Sequence, residues 1–347
     1  MNYSTILFAI QISLMILLVS NRPSGSINQM QNKWPKPVYN FKEYPVTEKG
    51  FELGRALFYD PILSRDSTIS CADCHLQYTG FAHVDHTVSH GIEGRNGTRN
   101  APALINLAWK SSFHWDGGVH ALHLQFINPI EHPSEMDHKL LSVLNRLQQD
   151  AFYRRMFLNA FGSDSITSKN FLNALAQFVV SLESKDSKYD RVMRKEKGTY
   201  FTDQEKHGYL LFQHNCQACH TEPLFTNTFF ASNGLPADPQ YNDLGRYIIT
   251  NRSSDSFQFM IPTLRNIEYT FPYMHDGRFK KLKDVMQHYT EGINTKDPHL
   301  HRLLRKKIIL NEQDQKDIIA FLKTLSDRTF LYNERYSYPK QLMSTRK

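Results

Sequence analysis

All four cysteines of the chain fall in two short motifs, Cys71-Ala72-Asp73-Cys74-His75 and Cys216-Gln217-Ala218-Cys219-His220. Two thiols three residues apart share one helical turn, and a histidine directly after them leaves the same turn. That geometry suits covalent haem: the thiols bond the vinyl groups and the imidazole reaches the iron from one face. Zinc is the first alternative, but the pairs lie 145 residues apart, against roughly 15–20 in a paired CxxC site. A redox dithiol is the second. Neither explains a His after both pairs, so Cys71, Cys74, Cys216 and Cys219 are read as attaching two haems c, with His75 and His220 as proximal ligands. A haem held by one His transfers electrons if its sixth position is filled and does chemistry if that position is open.

The elements that carry these motifs are helical and duplicated. Gly54-Arg55-Ala56-Leu57-Phe58 precedes the first motif and Gly208-Tyr209-Leu210-Leu211-Phe212 the second. Farther on, Pro102-Ala-Leu-Ile-Asn106 leads to Trp115-Asp116-Gly117, and Pro262-Thr-Leu-Arg-Asn266 leads to His275-Asp276-Gly277, with the same 14-residue interval from Pro to Asp. Two ordered matches predict duplicated halves in which Trp115 and His275 are equivalent. Apolar residues recur at three and four through Phe171, Leu172, Leu175, Phe178, Val179 and Leu182, and through Ile318, Ile319, Phe321, Leu322 and Leu325. Thr202 and Glu205 form a capping box that opens another helix. No run alternates convincingly as a strand. The expected fold is all-α, with two cytochrome-c-like domains at 47–190 and 199–330 and a charged, solvated stretch between Ser184 and Gly198 as the boundary.

With 347 residues, 40% of them hydrophobic and 22% charged, the chain can bury two domain cores and is neither disordered nor a polytopic membrane protein. Its 41 Lys and Arg against 34 Asp and Glu give +7, but the charges are interspersed and predict no nucleic-acid arm. Residues 1–20 carry no charge, and Ile6–Val19 is apolar except for Gln11 and Ser13. That length suits the core of an export signal better than a membrane span of about 20 residues. An uncleaved N-terminal anchor and a buried helix are the other readings. Residues 21–46 hold Pro23, Pro35, Pro37 and Pro45 and read as an extended lead-in.

From about Thr47 to about Asp327 the chain resembles the bacterial di-haem cytochrome c peroxidases, a family that includes the MauG-type enzymes. The resemblance implies a periplasmic enzyme whose N-terminal haem reacts with hydrogen peroxide and whose C-terminal haem takes electrons from a small c-type cytochrome or cupredoxin. It also makes a homodimer one expected assembly. The family's inter-haem tryptophan precedes Asp-Gly, as Trp115 does. Its distal glutamine and glutamate correspond to Gln125 and Glu135, since Gln125 is ten residues and Trp115 twenty before Glu135 in HPSEM. This double spacing selects Glu135 over Glu131. Glu135 is then the general acid/base, Gln125 positions peroxide, and Trp115 shortens the electron path.

The resemblance further implies a calcium ion held by the Asn100 side chain, in Arg99-Asn100-Ala101-Pro102, and by the Thr270 and Pro272 carbonyls, in Thr270-Phe271-Pro272-Tyr273-Met274-His275. Oxygen-only ligands suit Ca²⁺, although Asn and Pro are also ordinary turn residues. For the sixth ligand of the first haem, Ser89-His90-Gly91 matches the family's His-Gly pair, with His83 and His86 as rivals. For the second haem, Tyr289 stands fourteen residues after His275, where peroxidases of the family place Met and MauG-type members Tyr; Met274, Met286 and His288 are the alternatives. Two further functions stay open: a MauG-like enzyme that oxidises a residue of a protein substrate, and an electron carrier with two saturated haems.

Overall fold

The computed structural model describes residues 34–346. The export signal or anchor expected in residues 1–20, and the lead-in as far as residue 33, lie outside the described residues. Among the described residues no helix is long and apolar enough to cross a membrane.

Each CxxCH motif is preceded by a helix that crosses a later helix of the same half. Helix Glu48–Tyr59 begins at Thr47, whose hydroxyl accepts from the Gly50 N–H, and lies against Ser168–Val180. Helix Asp203–Asn215 lies against Glu312–Lys323. Its start is the expected capping box: Glu205 N–H donates to Thr202 Oγ1 at 3.2 Å and Thr202 N–H to Glu205 Oε2 at 2.7 Å. Both crossings are tight at the equivalent glycine. A Cβ on Gly54 would stand 2.0 Å from the Ala174 carbonyl oxygen, and one on Gly208 would stand 1.9 Å from that of Asp317. Backbone rather than a flexible side chain fills the space, so only glycine permits these crossings.

The duplication extends to backbone conformation. Asn106 and Asn266 have φ of 55° and 58°, His114 and Met274 64° and 75°, and Gly117 and Gly277 70° and 69°. Single antiparallel bridges join Phe113 to Val119 in one half and Tyr273 to Phe279 in the other. Equivalent residues thus share the left-handed region, which non-glycine residues enter only when their surroundings compel it.

Two apolar clusters form the cores. The first gathers Phe51, Leu57, Phe58, Phe81, Phe171, Leu175 and Phe178, and the second gathers Tyr189, Phe212, Phe225, Phe321 and Leu325. The fold is mostly helical, as expected, with one addition: a two-residue antiparallel pair, Phe230–Ala231 with Phe259–Met260.

The stretch expected to be a solvated boundary is partly core. Helix Lys188–Met193 buries Tyr189 in the second cluster and sets Asp190 against Arg265, which is fully buried and donates both terminal nitrogens to the carboxylate at 2.8 Å. Burial pushes the Asp190 carboxyl up, and the paired guanidinium outweighs this and leaves it below the ordinary value. Phe330 and Leu331 lie in the first cluster, and the tail after them returns to the first half: Arg335 pairs with Glu48, the Tyr59 hydroxyl donates to the Tyr336 carbonyl, and Arg346 pairs with Asp150 and Asp60.

Gly54→Ala and Gly208→Ala are each expected to force their helix pair apart and destabilise the protein by about 1–3 kcal/mol, the usual range for overpacking. Chemical denaturation checks this against Gly162→Ala, where the added methyl meets nothing within 4 Å and only its positive φ is strained.

Candidate haem and peroxide sites

Ser70 and Asp73 close a capping box around the short helix Cys71–Cys74, which fixes the two thiols on one turn. His75 follows as its C-cap, and its Nδ1 lies 2.7 Å from the Phe81 carbonyl oxygen. A carbonyl cannot donate, so Nδ1 carries the proton and Nε2 is the free ligand atom. His220 repeats the device, with Nδ1 3.2 Å from both the Phe225 and Pro262 oxygens. Burial pushes both imidazoles down to about 4, so each is neutral at pH 7 with a lone pair on Nε2. A carbonyl holding the far nitrogen is the usual support of a metal-ligating histidine.

The cysteines fit haem better than the alternatives. Burial pushes Cys71, Cys74 and Cys216 up to about 12 and raises Cys219, whereas a redox dithiol needs a depressed thiol pKa. All four are unpaired. Among the described residues no cysteine joins a cluster of three or more His, Cys, Asp or Glu that could hold zinc.

Glu135 lies beside the first CxxCH turn, close enough for its charge to raise both Cys71 and Cys74. The loop that carries it is clamped from two directions. Ile92 N–H donates to the Glu135 carbonyl at 2.9 Å, and Arg65 N–H donates to that of Met136 at 3.0 Å. Arg95 adds bonds to the Pro133 carbonyl at 3.0 Å and to Asp137 at 3.1 Å. Gly91 touches the Glu135 backbone so closely that a Cβ there would stand 2.4 Å from Cα. The Glu135 side chain makes no hydrogen bond among the described residues, and burial raises its pKa above the ordinary carboxylate value despite His132 nearby. Glu131 differs in kind: its carboxylate accepts the Leu140 N–H at 3.0 Å, at the start of helix Leu140–Gln149. It is therefore already committed to a structural bond.

Gln125 follows the turn Leu122–Leu124, and its side chain makes no hydrogen bond among the described residues. The Gln125 backbone lies against His114, whose own charge is felt at His75 and whose Nε2 is buried without a partner. Sequence reasoning passed over His114. The signal was present in the repeat, because its equivalent is Met274.

Trp115 sits between the halves. Its indole N–H donates to the Asn100 carbonyl at 2.8 Å, and its own carbonyl accepts the Met260 N–H at 2.7 Å. Asn100 N–H donates to the His275 carbonyl at 2.6 Å, which brings the Arg-Asn-Ala-Pro and Thr-x-Pro-Tyr-x-His segments together. Asn100 and Pro272 are buried, and Asn100 Nδ2 donates to the Thr87 carbonyl at 3.1 Å. The γ-methyl of Thr270 faces Gly80. Arg99 fastens the same junction, reaching Asp243 at 2.6 and 2.8 Å and also pairing with Asp116.

In the second half, Tyr289 lies in a π-helical turn, His288–Gly292, a local irregularity frequent at functional sites. Burial pushes its hydroxyl up to about 12, opposed by a hydrogen bond from Asn233, and the two cysteines of the second motif act on it electrostatically. Asn233 Nδ2 also donates to Met274 Sδ at 3.4 Å, so Tyr289 and Met274 flank one amide. Met286 is packed in the second core, and His288 Nε2 lies 3.1 Å from the Asn233 carbonyl. His90 groups with His83 and His86, and its carbonyl lies 3.3 Å from Cys74 Sγ.

A family profile described as di-haem cytochrome c peroxidase matches residues 48–198. The methylamine utilization protein MauG of Methylorubrum extorquens is 35% identical over 297 residues, 84% of this chain and 82% of that one. The cytochrome c551 peroxidase of Nitrosomonas europaea is 35% identical over 286 residues, 79% of each chain. A crystal structure described as a MauG-like protein associated with microbial copper homeostasis superposes with a TM-score of 0.81 at 31% identity, covering 91% of this chain and all of that one. The chain belongs to the di-haem cytochrome c peroxidase family.

Proposed function

We propose that the chain reduces hydrogen peroxide to water beside Glu135, using electrons that a small c-type cytochrome or cupredoxin delivers to the C-terminal half. The observation that carries this reading is the state of Glu135: clamped by its backbone beside the first CxxCH turn, raised by burial, and free at its carboxyl. Cys71, Cys74 and His75, and Cys216, Cys219 and His220, would each hold one haem c, whose iron supplies the redox centre when bound.

The residues then divide the work. Glu135 accepts the proton of the near peroxide oxygen and returns it to the far one, which leaves as water. Two electrons and two further protons balance the conversion of one peroxide to two waters. The Gln125 amide can donate and accept, and so orients the peroxide. Trp115, bonded to Asn100 on one side and Met260 on the other, is the aromatic step between the halves. Tyr289 would ligate the iron of the second haem, a role supported by its place near Cys216 and Cys219 and by the engagement of Met286 and His288 elsewhere. Asn100 Oδ1 with the Thr270 and Pro272 carbonyls would hold Ca²⁺ at the junction. His90, whose ring joins two other histidines, is given no axial role. The enzyme would work in the periplasm, where haem is attached to CxxCH. Tyr289 also supports a second reading, a MauG-like oxidation of a protein residue; rapid steady-state turnover with reduced cytochrome c separates the two. A carrier with saturated haems has no use for an unengaged Glu135.

Three outcomes test the proposal. Denatured protein should keep its haem through acid-acetone extraction and give two haems per chain by pyridine haemochrome, and a count of one refutes the pairing. Tyr289→Phe should alter the low-spin signal of the second haem. An unchanged spectrum with a methionine-type near-infrared band would transfer the role to Met274. Glu135→Gln should slow peroxide turnover by about 10²–10⁴, the usual value of general acid–base assistance, while donor reduction of the second haem continues at its normal rate. Glu131→Gln should lose much less, and equal losses in the two variants would reject the assignment.

A further inference from the structure

Behind the first CxxCH turn lies a group of side chains that the peroxide chemistry does not use. His83, His86 and His90 each offer a ring nitrogen, and the three nitrogens lie within 4.8 Å of one another. Their ring centroids are 5.0, 5.4 and 4.6 Å apart. His83 is 2% exposed, and the Nδ1 atom of His90 is buried without a hydrogen-bond partner. His83 Nε2 and His86 Nδ1 face each other at hydrogen-bonding distance, and the buried Nδ1 of His90, which would normally be satisfied, has no protein partner beside them.

We propose that His83, His86 and His90 form a three-imidazole site for a borderline divalent transition ion, copper(II) or zinc(II). Three imidazoles suit these ions and not Ca²⁺ or Mg²⁺, which take oxygen. Metal–nitrogen bonds of about 2.0–2.1 Å in a tetrahedron place ligand atoms roughly 3.3–3.5 Å apart. His83 Nε2 and His86 Nδ1 already stand 3.2 Å apart, so only the third imidazole has to draw inward. His86 is exposed, which gives an ion a way in from solvent and leaves the fourth position to water.

The site has a structural consequence. The His90 carbonyl lies 3.3 Å from Cys74 Sγ, and the next residue, Gly91, packs on the backbone of Glu135. An ion at the three imidazoles would pin the 83–90 loop against the first CxxCH turn and so stiffen the support of Glu135. The inference does not depend on the peroxide reaction and is read by binding alone.

The test uses the di-haem holoprotein, stripped with a chelator and titrated with zinc(II) by calorimetry and with copper(II) by electron paramagnetic resonance. One equivalent of zinc should bind, raising the melting temperature as a ligand of the native state does. Copper should show hyperfine splitting from three nitrogens. His86→Ala, at an exposed position where folding and haem content are preserved, should weaken zinc at least about tenfold, since even outer-shell changes cost 10–100-fold. His83→Ala and His90→Ala should do the same, and Asp85→Asn should not. No stoichiometric zinc in the wild type overturns the proposal, as does wild-type affinity in the His variants. A His90→Ala protein that changes the ferric haem spectrum while still binding zinc normally would also overturn it, by making His90 a haem ligand.

Discussion

Trp115 is held from both halves at once, its indole N–H by Asn100 and its carbonyl by the Met260 N–H. Neither bond is strong alone, at about 0.5–1.5 kcal/mol net, but they are buried among others that point the same way. Asn100 N–H is bound to His275, Arg99 bridges Asp116 and Asp243, and Phe259 stacks on His275 at 3.7 Å. The two equivalent positions of the repeat, 115 and 275, are thus locked to each other through one asparagine. The two halves cannot shift against each other at this junction without breaking these bonds together.

The halves themselves follow a common backbone plan with different chemistry hung on it. Positive φ at 106 and 266, 114 and 274, and 117 and 277 marks the same path through space. Along it, tryptophan faces histidine, and His114 faces Met274. One backbone path is used twice, and the two halves differ in the side chains set along it, His114 and Trp115 in the first and Met274 and His275 in the second.

The motifs and helices were legible because they depend on local spacing: CxxCH needs one helical turn, the capping box needs Thr202 and Glu205, and the apolar face of 168–180 recurs with the helical period. The selection of Glu135 over Glu131 came from register alone, and the geometry adds a physical reason in the bond from Leu140 to Glu131. What escaped depends on contacts distant in sequence. Asp190 looked like one charge in a solvated run, because nothing local reveals a buried Arg265 75 residues away. The three histidines at 83, 86 and 90 follow no helical or strand period, since an irregular loop brings them together. The π-helical turn at Tyr289 is likewise a tertiary adjustment without a signature of its own.

The return of the tail bears on the order of assembly. Phe330 and Leu331 belong to the core that also contains Phe51, Phe58 and Phe178, so the first half is not self-contained even though it is made first. A chain emerging residue by residue lacks the last pieces of that core until some 270 residues after helix Glu48–Tyr59 has appeared, and contacts of such long separation form slowly. The first core therefore closes only when the segment at Phe330 and Leu331 has docked on it, so a contact distant in sequence completes the half that carries the first CxxCH turn.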